Sequence, residues 1–197
     1  MKLKRRFKLS PFQIILLGFA CVILTGSLLL ALPVSSNDGR WTGYMDSLFT
    51  ATSAVCVTGL VVFNTASHWS VFGQAVILLL IQIGGMGVVT VAVSFFFLSG
   101  KKIGLSGRNA IKESLSAPNS GGLVKFTKFV LKGFLIMELI GIVAMLPVFC
   151  TDYGASGIWM AVFHSVSAFC NAGFDISASE SLTAYSAHPV ILYRRLL

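Results

Sequence analysis

The residues best suited to bind an ion lie in two short segments, Val57-Thr58-Gly59 and Asn171-Ala172-Gly173. Each segment is uncharged and ends in glycine, so an extended backbone there can approach a central axis closely. Backbone carbonyl oxygens at such an axis replace the water shell of a cation without a fixed charge that would trap it. We therefore predict that these segments are filter strands of an ion pathway, and that their backbone carbonyl groups are the cation ligands.

The two segments belong to a longer internal repeat. Residues 49–60 pair with residues 163–174 at an offset of 114 residues, with identity at five positions. The same offset relates Leu32-Pro33-Val34 to Leu146-Pro147-Val148, at the predicted end of each outward helix, and residues 76–78 to residues 190–192. Matches at one offset predict a repeated unit of helix, re-entrant loop and helix.

The composition predicts an integral membrane protein. Hydrophobic residues make up 55% of the 197 residues and charged residues 11%, with a mean hydropathy of +0.85. Soluble domains carry about a quarter charged residues. Helices are the expected elements, because an open sheet would leave unpaired backbone groups in lipid. The predicted fold class is therefore an all-α membrane protein of repeated helix–pore-loop–helix units, the first complete and the second truncated.

The domain organisation follows from where apolar and basic stretches alternate. The first repeat with its basic N-terminus is predicted at 1–98, a cytoplasmic linker at 99–128, and the second repeat, incomplete at its last helix, at 129–197. Within these, spans are expected at about 11–32, 70–98 and 129–150, and re-entrant segments at about 44–60 and 157–174. The positive-inside rule places the N-terminus and the linker in the cytoplasm.

The net charge of +8 does not indicate nucleic-acid binding, because the basic residues flank apolar spans. The four cysteines lack metal-ligand spacing and are interpreted as small apolar residues. The sequence shows no nucleophile–base pair, metal cluster or phosphate-binding loop at usable spacing. We therefore expect no enzymatic activity and no cofactor.

Four further side chains are candidates for a role at the predicted site. Asp46 begins the first pore helix, where a carboxylate is expected to cap free amides. Asp175 follows the second filter strand, at the outer mouth, where a carboxylate can concentrate cations. Glu138 is an intramembrane charge and thus a functional candidate, the alternative being a pairing with Lys132 or a polar neighbour. For His164 a packing or hydrogen-bonding role is expected in preference to metal binding. The segment Gly84-Gly85-Met86-Gly87 predicts either close helix packing or a kink.

Three segments resemble a known family: residues 46–62, residues 80–87 and residues 163–174 are similar to the potassium-translocating subunits of the Trk/Ktr/HKT superfamily, closest to the bacterial Ktr-type B subunit. That family has four helix–pore-loop–helix repeats in one polypeptide, each with one filter glycine. Gly59 and Gly173 match the first two. The family's third and fourth filter strands and its gating loop have no counterpart in these residues.

The resemblance implies channel-like potassium uptake, with sodium as a coupling ion in Ktr types. It implies a multi-pass protein of the bacterial plasma membrane, in contact with lipid, with a cytoplasmic N-terminus. It also implies a homodimer with a cytosolic nucleotide-binding regulatory subunit. The alternative expectation is a truncated, non-conducting fragment of such a transporter with at most an assembly role.

Overall fold

The computed structural model of the chain describes residues 11–87 and 123–177, which form helices joined by short turns. The predicted all-α fold is confirmed. The basic N-terminus, most of the predicted linker and the predicted end of the second repeat lie outside the described residues. In chain order the elements are α1 (Pro11–Ala31), a 3-10 turn (Pro33–Ser35), α2 (Tyr44–Val55), α3 (Thr65–His68), α4 (Val71–Met86), α5 (Leu123–Tyr153) and α6 (Ser156–Phe169).

Helix α5 contains a segment suited to cross a bilayer. Among the described residues, Phe129–Tyr153 is the one helical stretch that is long and apolar enough to do so, with 25 residues. At 1.5 Å per residue this stretch is about 37 Å long. Its exposed side chains include Phe129, Leu139 and Val143, which suits contact with lipid. Shorter apolar helical stretches lie at Ile15–Ala31, Val71–Met86 and Ser156–Phe169.

Pro33 and Pro147 occupy matched positions of the repeat but have different local structures. Helix α1 ends at Ala31, and Leu32 is extended (φ −65°, ψ 145°) because a residue before proline is disfavoured in the helical region. Pro147 instead lies inside α5, which continues to Tyr153. The predicted span of about 129–150 includes residue 147 near its end, and the helix ends slightly later, at Tyr153. Membrane helices tolerate an internal proline because neighbouring groups satisfy the freed carbonyl.

Helix α4 is shorter than the predicted span 70–98. Ser70 caps its N-terminus by accepting a hydrogen bond from the Gly73 amide at 3.2 Å. The helix ends at Met86, and Gly87 follows with φ 80°, a left-handed conformation that commonly terminates helices. The single continuous span is thus corrected to a helix that ends at Met86, and residues 88–98 lie outside the described part of the chain.

The two short helices α2 and α6 lie within the two predicted re-entrant segments, and we refer to them as the pore helices on that prediction. Helix α2 packs against α1 and α4, and α6 packs against α5. The buried face of α2 is made of small residues, including Ser47, Ala51 and Ala54, which permits close approach of its neighbours. The buried face of α6 has larger side chains, including Phe163 and His164.

Two adjacent glycines of α4 support both pore helices. A Cβ atom on Gly84 would overlap the carbonyl oxygen of Val55, at the end of α2. A Cβ atom on Gly85 would lie 2.6 Å from the sulfur of Cys170, which follows α6. The glycine-rich segment therefore serves close packing, and one helix of the first unit contacts the ends of both pore helices.

The turn between α2 and α4 is a small aromatic cluster. Trp69 is 1% exposed, and the ring of His68 stacks on Phe63 with centroids 4.1 Å apart. The Nε2 atom of His68 lies 3.2 Å from the hydroxyl of Thr42. Burial lowers the pKa of His68, while the nearby carboxylates of Asp38 and Asp46 oppose the shift.

We expect Gly84→Ala to destabilise the protein, because the new methyl group meets backbone atoms that cannot rotate away. Overpacking of this kind costs about 1–3 kcal/mol. The measurement is the thermal midpoint of the detergent-purified protein. Gly133→Ala in α5 is the matched control, since a Cβ atom there meets nothing within 4 Å. Equal midpoints for the two variants would contradict the packing role of Gly84.

Acidification should destabilise the turn between α2 and α4 through His68. A lowered folded-state pKa means that the unfolded chain binds more protons on this residue, so stability falls as the pH falls through the unfolded pKa of about 6.5. His68→Gln removes this contribution. Between about pH 7.5 and pH 5, the thermal midpoint of the variant should therefore fall less than that of the unaltered protein. Parallel pH dependences would refute the assignment.

Candidate ion-coordinating site

The two predicted filter strands have the same unusual backbone conformation. Val57 and Asn171 have φ values of 57° and 56°, and Gly59 and Gly173 have values of 76° and 74°. A positive φ at a β-branched residue such as Val57 is an outlier that persists only where the surrounding structure imposes it. The sequence predicts an extended backbone in these strands. The positive φ values show that the strands are not simply extended. In each strand the two left-handed residues are separated by one residue, Thr58 or Ala172, that is not left-handed.

Equivalent hydrogen bonds tie each strand back to its pore helix. The amide of Thr58 donates to the carbonyl of Ser53 at 3.0 Å, and the amide of Ala172 donates to that of Ser167 at 2.7 Å. These donors and acceptors are related by the offset of the sequence repeat. The matched bonds give the two units the same turn after the pore helix. These hydrogen bonds hold the left-handed residues in their unfavourable backbone conformation.

The two strands meet at their glycines. A Cβ atom on Gly59 would lie 2.7 Å from the carbonyl oxygen of Ala172 and 3.3 Å from the Cα atom of Gly173. A Cβ atom on Gly173 would lie 3.4 Å from the Cα atom of Gly59. Because both glycines also have positive φ, conformation and space both favour glycine here. The fold therefore brings the two predicted filter strands together at Gly59, Ala172 and Gly173, from segments that are far apart in sequence.

Side-chain hydrogen bonds hold the two strands differently. In the first unit, the hydroxyl of Thr58 donates to the hydroxyl of Ser53 at 2.9 Å. Ala172 replaces this threonine in the second unit and has no such group. There, the hydroxyl of Ser167 donates to the carbonyl of Phe174 at 2.7 Å. The matched serines thus hold different ends of their strands.

Each pore helix directs its carbonyl end toward a filter strand. Helix α2 ends at Val55 and α6 ends at Phe169, immediately before the filter turns, and neither helix has a basic residue in its last turn. The C-terminal end of a helix carries a partial negative charge. The two helix ends therefore make the site electrostatically favourable for a cation.

Asp46 lies in the first turn of the first pore helix, whose N-cap residue is Gly43. A Cβ atom on Gly43 would lie 2.8 Å from Oδ2 of Asp46, so the carboxylate is close to the start of the helix. Its capping role stays a prediction. A carboxylate in the first turn still interacts favourably with the positive end of the helix.

Asp175 faces a histidine behind the second strand. Its Oδ1 atom lies 2.9 Å from Nε2 of His164, and the same oxygen accepts hydrogen bonds from the amide and the hydroxyl of Ser177 at 2.7 and 2.5 Å. Burial disfavours the carboxylate, but hydrogen bonds from His164 and Ser177 outweigh burial, so the pKa of Asp175 lies below its usual range. Its charge is therefore partly compensated by side chains around it.

Comparison with known proteins identifies the family. A sequence model of the TrkH family, described as a cation transport protein, matches residues 4–196. The chain belongs to the TrkH family of cation transport proteins. The resemblance to the Trk/Ktr superfamily is thereby confirmed, and with it the membrane character of this TrkH-family chain.

Three relatives illustrate the similarity. The chain is 48% identical over 183 residues to the potassium/sodium uptake protein NtpJ of Enterococcus hirae, covering 92% of this chain and 41% of that protein. It is 39% identical over 185 residues to the Ktr system potassium uptake protein B of Bacillus subtilis, covering 93% and 41%. It is 36% identical over 182 residues to the protein of the same name from Vibrio alginolyticus, covering 92% and 39%. The TrkH-family chain thus spans about two-fifths of the length of these relatives.

Glu138 lies inside the bundle of this TrkH-family chain. It is 5% exposed, and its Oε1 atom accepts a hydrogen bond from Nε2 of Gln82 at 2.7 Å. The hydrogen-bonding partner of the Glu138 side chain is thus the polar residue Gln82, whereas Lys132 is exposed. The main-chain carbonyl of Glu138 also accepts a hydrogen bond from the hydroxyl of Ser165 in α6, at 2.7 Å. Glu138 therefore links α5 to both α4 and the second pore helix.

A second glutamine of α4 joins the two units near the start of that helix. The Oε1 atom of Gln74 accepts a hydrogen bond from the indole of Trp159 in α6 at 2.8 Å, and its Nε2 atom donates to the carbonyl of Trp69 at 3.0 Å. Sequence reasoning missed both glutamines. Gln74 and Gln82 are the polar side chains of an otherwise apolar helix, and that isolation was the available signal.

The described residues contain no group of three or more His, Cys, Asp or Glu side chains that could hold a metal ion. All four cysteines are free. The two ring nitrogens of His164 lie at hydrogen-bonding distance from Met160 and Asp175. The backbone of the filter strands is the feature of the described structure that suits cation coordination.

Gln82→Leu should destabilise the protein by about 1.5–3 kcal/mol, because it removes the hydrogen bond to a buried carboxyl group. Glu138→Leu in the same chain should recover much of the loss, since no buried carboxyl group is then left without its donor. The measurement is a double-mutant cycle on thermal midpoints in detergent. Strictly additive effects would show that the 2.7 Å contact is not energetically coupled.

Proposed function

We propose that this chain contributes two filter strands to a potassium-uptake pathway across the bacterial plasma membrane. The observation that carries the proposal is the backbone-to-backbone meeting of Gly59 and Gly173, each left-handed and each placed at the carbonyl end of a pore helix. This arrangement suits coordination of a dehydrated monovalent cation by carbonyl oxygens. The proposed ligands are the carbonyl groups of residues 57–59 and 171–173.

The choice of potassium rests on the relatives. NtpJ is named a potassium/sodium uptake protein, and the Ktr B proteins are named potassium uptake proteins. We extend their ion to this chain because the similarity covers both filter strands. Sodium is the proposed coupling ion, and we propose no cofactor and no enzymatic activity.

We also propose the setting in which the chain acts. Basic residues of the N-terminus and of residues 99–132 favour a cytoplasmic location for both, with the re-entrant segments entering from the outer face. The family resemblance favours a multi-pass chain that acts as a homodimer with a cytosolic nucleotide-binding regulatory subunit. Asp46 and Asp175 are then located toward the outer side of the pathway, and Glu138 within the bundle.

The function is tested in a bacterial strain that lacks its own potassium uptake systems. One arm expresses this chain, and a second expresses a chimera in which the chain replaces the matching 183 residues of NtpJ. We expect the chimera to restore growth at low potassium. Failure of a well-expressed chimera would refute the proposed transport role, and rescue by the chimera together with failure of the chain alone would favour an assembly role for the chain alone.

Gly59→Ser and Gly173→Ser in the chimera should each lower the preference for potassium over sodium by about tenfold, equivalent to ~1.4 kcal/mol. A serine side chain there meets the neighbouring strand and is disfavoured at positive φ. Uptake of each ion is measured in competition. Gly39→Ser is the matched control, because Gly39 also has positive φ (65°) but meets nothing within 4 Å. Unchanged selectivity in both filter variants would refute the filter assignment.

A further inference from the structure

We propose that His164 and Asp175 are positioning residues that fix the outer end of the second filter strand and thereby set its preference for potassium over sodium. This inference rests on the proposed transport function. It assigns the selectivity of the second strand to a side-chain pair that lies behind it, in addition to the carbonyl groups that face the ion.

The imidazole of His164 is immobilised on several sides. The residue is fully buried, and its ring stacks on Phe149 with centroids 5.2 Å apart and an interplanar angle of 24°. Its Nδ1 atom lies 2.8 Å from the carbonyl oxygen of Met160, one turn earlier in α6. The other ring nitrogen, Nε2, faces Asp175 at 2.9 Å. A ring held at both nitrogens and on one face is a rigid support for the strand.

Both ring nitrogens of His164 lie at hydrogen-bonding distance from oxygen acceptors. Nδ1 lies 2.8 Å from the carbonyl oxygen of Met160, and Nε2 lies 2.9 Å from Oδ1 of Asp175. The amide of Ile176 also points toward Nε2, at 3.4 Å. Of the two contacts at Nε2, the one with Asp175 is the shorter, and it ties the ring to the chain just beyond the filter glycine.

The pair acts on the filter strand because of its place in the chain. Asp175 follows Gly173 by two residues, and Ser167 and His164 lie one turn apart on the same face of α6. Ser167 holds the carbonyl of Phe174, and His164 holds the side chain of Asp175. Two adjacent residues just beyond the filter glycine are therefore tied to one face of the pore helix.

The first strand is built without this pair. The repeat offset places Thr50 opposite His164 and Val61 opposite Asp175. The hydroxyl of Thr50 donates to the carbonyl of Asp46 within its own helix, and Val61 is 49% exposed. The first strand is instead held nearer its start, through Thr58. Threonine and valine, which the first unit has at these two positions, are therefore used to replace His164 and Asp175 in the test.

The expected effect on selectivity follows from how firmly the carbonyl groups keep their positions. In the cavity-size account of a potassium filter, which we adopt, carbonyl groups held in place cannot close around the smaller sodium ion. A hydrogen bond to an ionised group is roughly twice as strong as a neutral one, so the contact of His164 with the Asp175 carboxylate is an effective restraint. Loss of the pair should therefore admit sodium and leave potassium transport itself possible.

The decisive variant carries both His164→Thr and Asp175→Val in the NtpJ chimera, which copies the first unit. Removing both partners avoids a buried unpaired charge, whereas each single replacement leaves one and should reduce the amount of folded protein. Asp175→Asn is the conservative variant, since it keeps the size and removes the charge. Asp152→Val, at the exposed end of α5, is the control. The readouts are the KM values for potassium and sodium in uptake, and the amount of folded protein from size-exclusion chromatography.

We expect the double variant to transport potassium with a KM ratio for sodium over potassium that is reduced about fivefold or more, or ~1 kcal/mol. Asp175→Asn should show a smaller reduction, and Asp152→Val should show none. A folded double variant with the unaltered ratio would overturn the proposal, and if the double variant does not fold, an unaltered ratio in Asp175→Asn would do so. An unaltered chimera without potassium uptake would instead overturn the proposed function on which this inference rests.

Discussion

The structure depends on one close approach, in which the backbones of two filter segments meet without side chains between them. Gly59 and Gly173 lie within van der Waals distance of each other's strand. Such an approach requires positive φ values and an absence of Cβ atoms at the same place. Two hydrogen-bonded turns and two pore helices are needed to hold the segments in that conformation, and the rest of the described fold supports those helices.

That support comes largely from small residues. Gly84 and Gly85 let α4 contact the ends of both pore helices, and Gly141 lets α5 approach the hydroxyl of Ser165. Side-chain hydrogen bonds then fix the positions of the helices relative to one another: Gln74 bonds to Trp159, and Gln82 bonds to Glu138. In a membrane the hydrophobic effect does little to associate helices, so close packing and interhelical hydrogen bonds carry the specificity.

Much of this arrangement could be predicted from the sequence, because the repeat offset and the lengths of the apolar stretches can be read directly from it. The pore helices and both filter glycines follow from them. The end of α4 at Met86 could not be predicted in this way, since the apolar run of the sequence continues beyond it and the glycines there were equally compatible with close packing. The pairing of His164 with Asp175 was equally hidden. Eleven residues separate them, and only the reversal of the chain at the filter turn brings them together.

Helix α4 gives the two units a common mechanical base. The last turns of this helix meet the main chain of Val55 at Gly84 and the short side chain of Cys170 at Gly85, so α4 lies close to the C-terminal end of each pore helix. A tilt or axial shift of α4 would therefore be transmitted stiffly, and to both filter strands at once. A movement of the chain that follows α4 at Gly87 would therefore reach both filter strands through the contacts at Gly84 and Gly85.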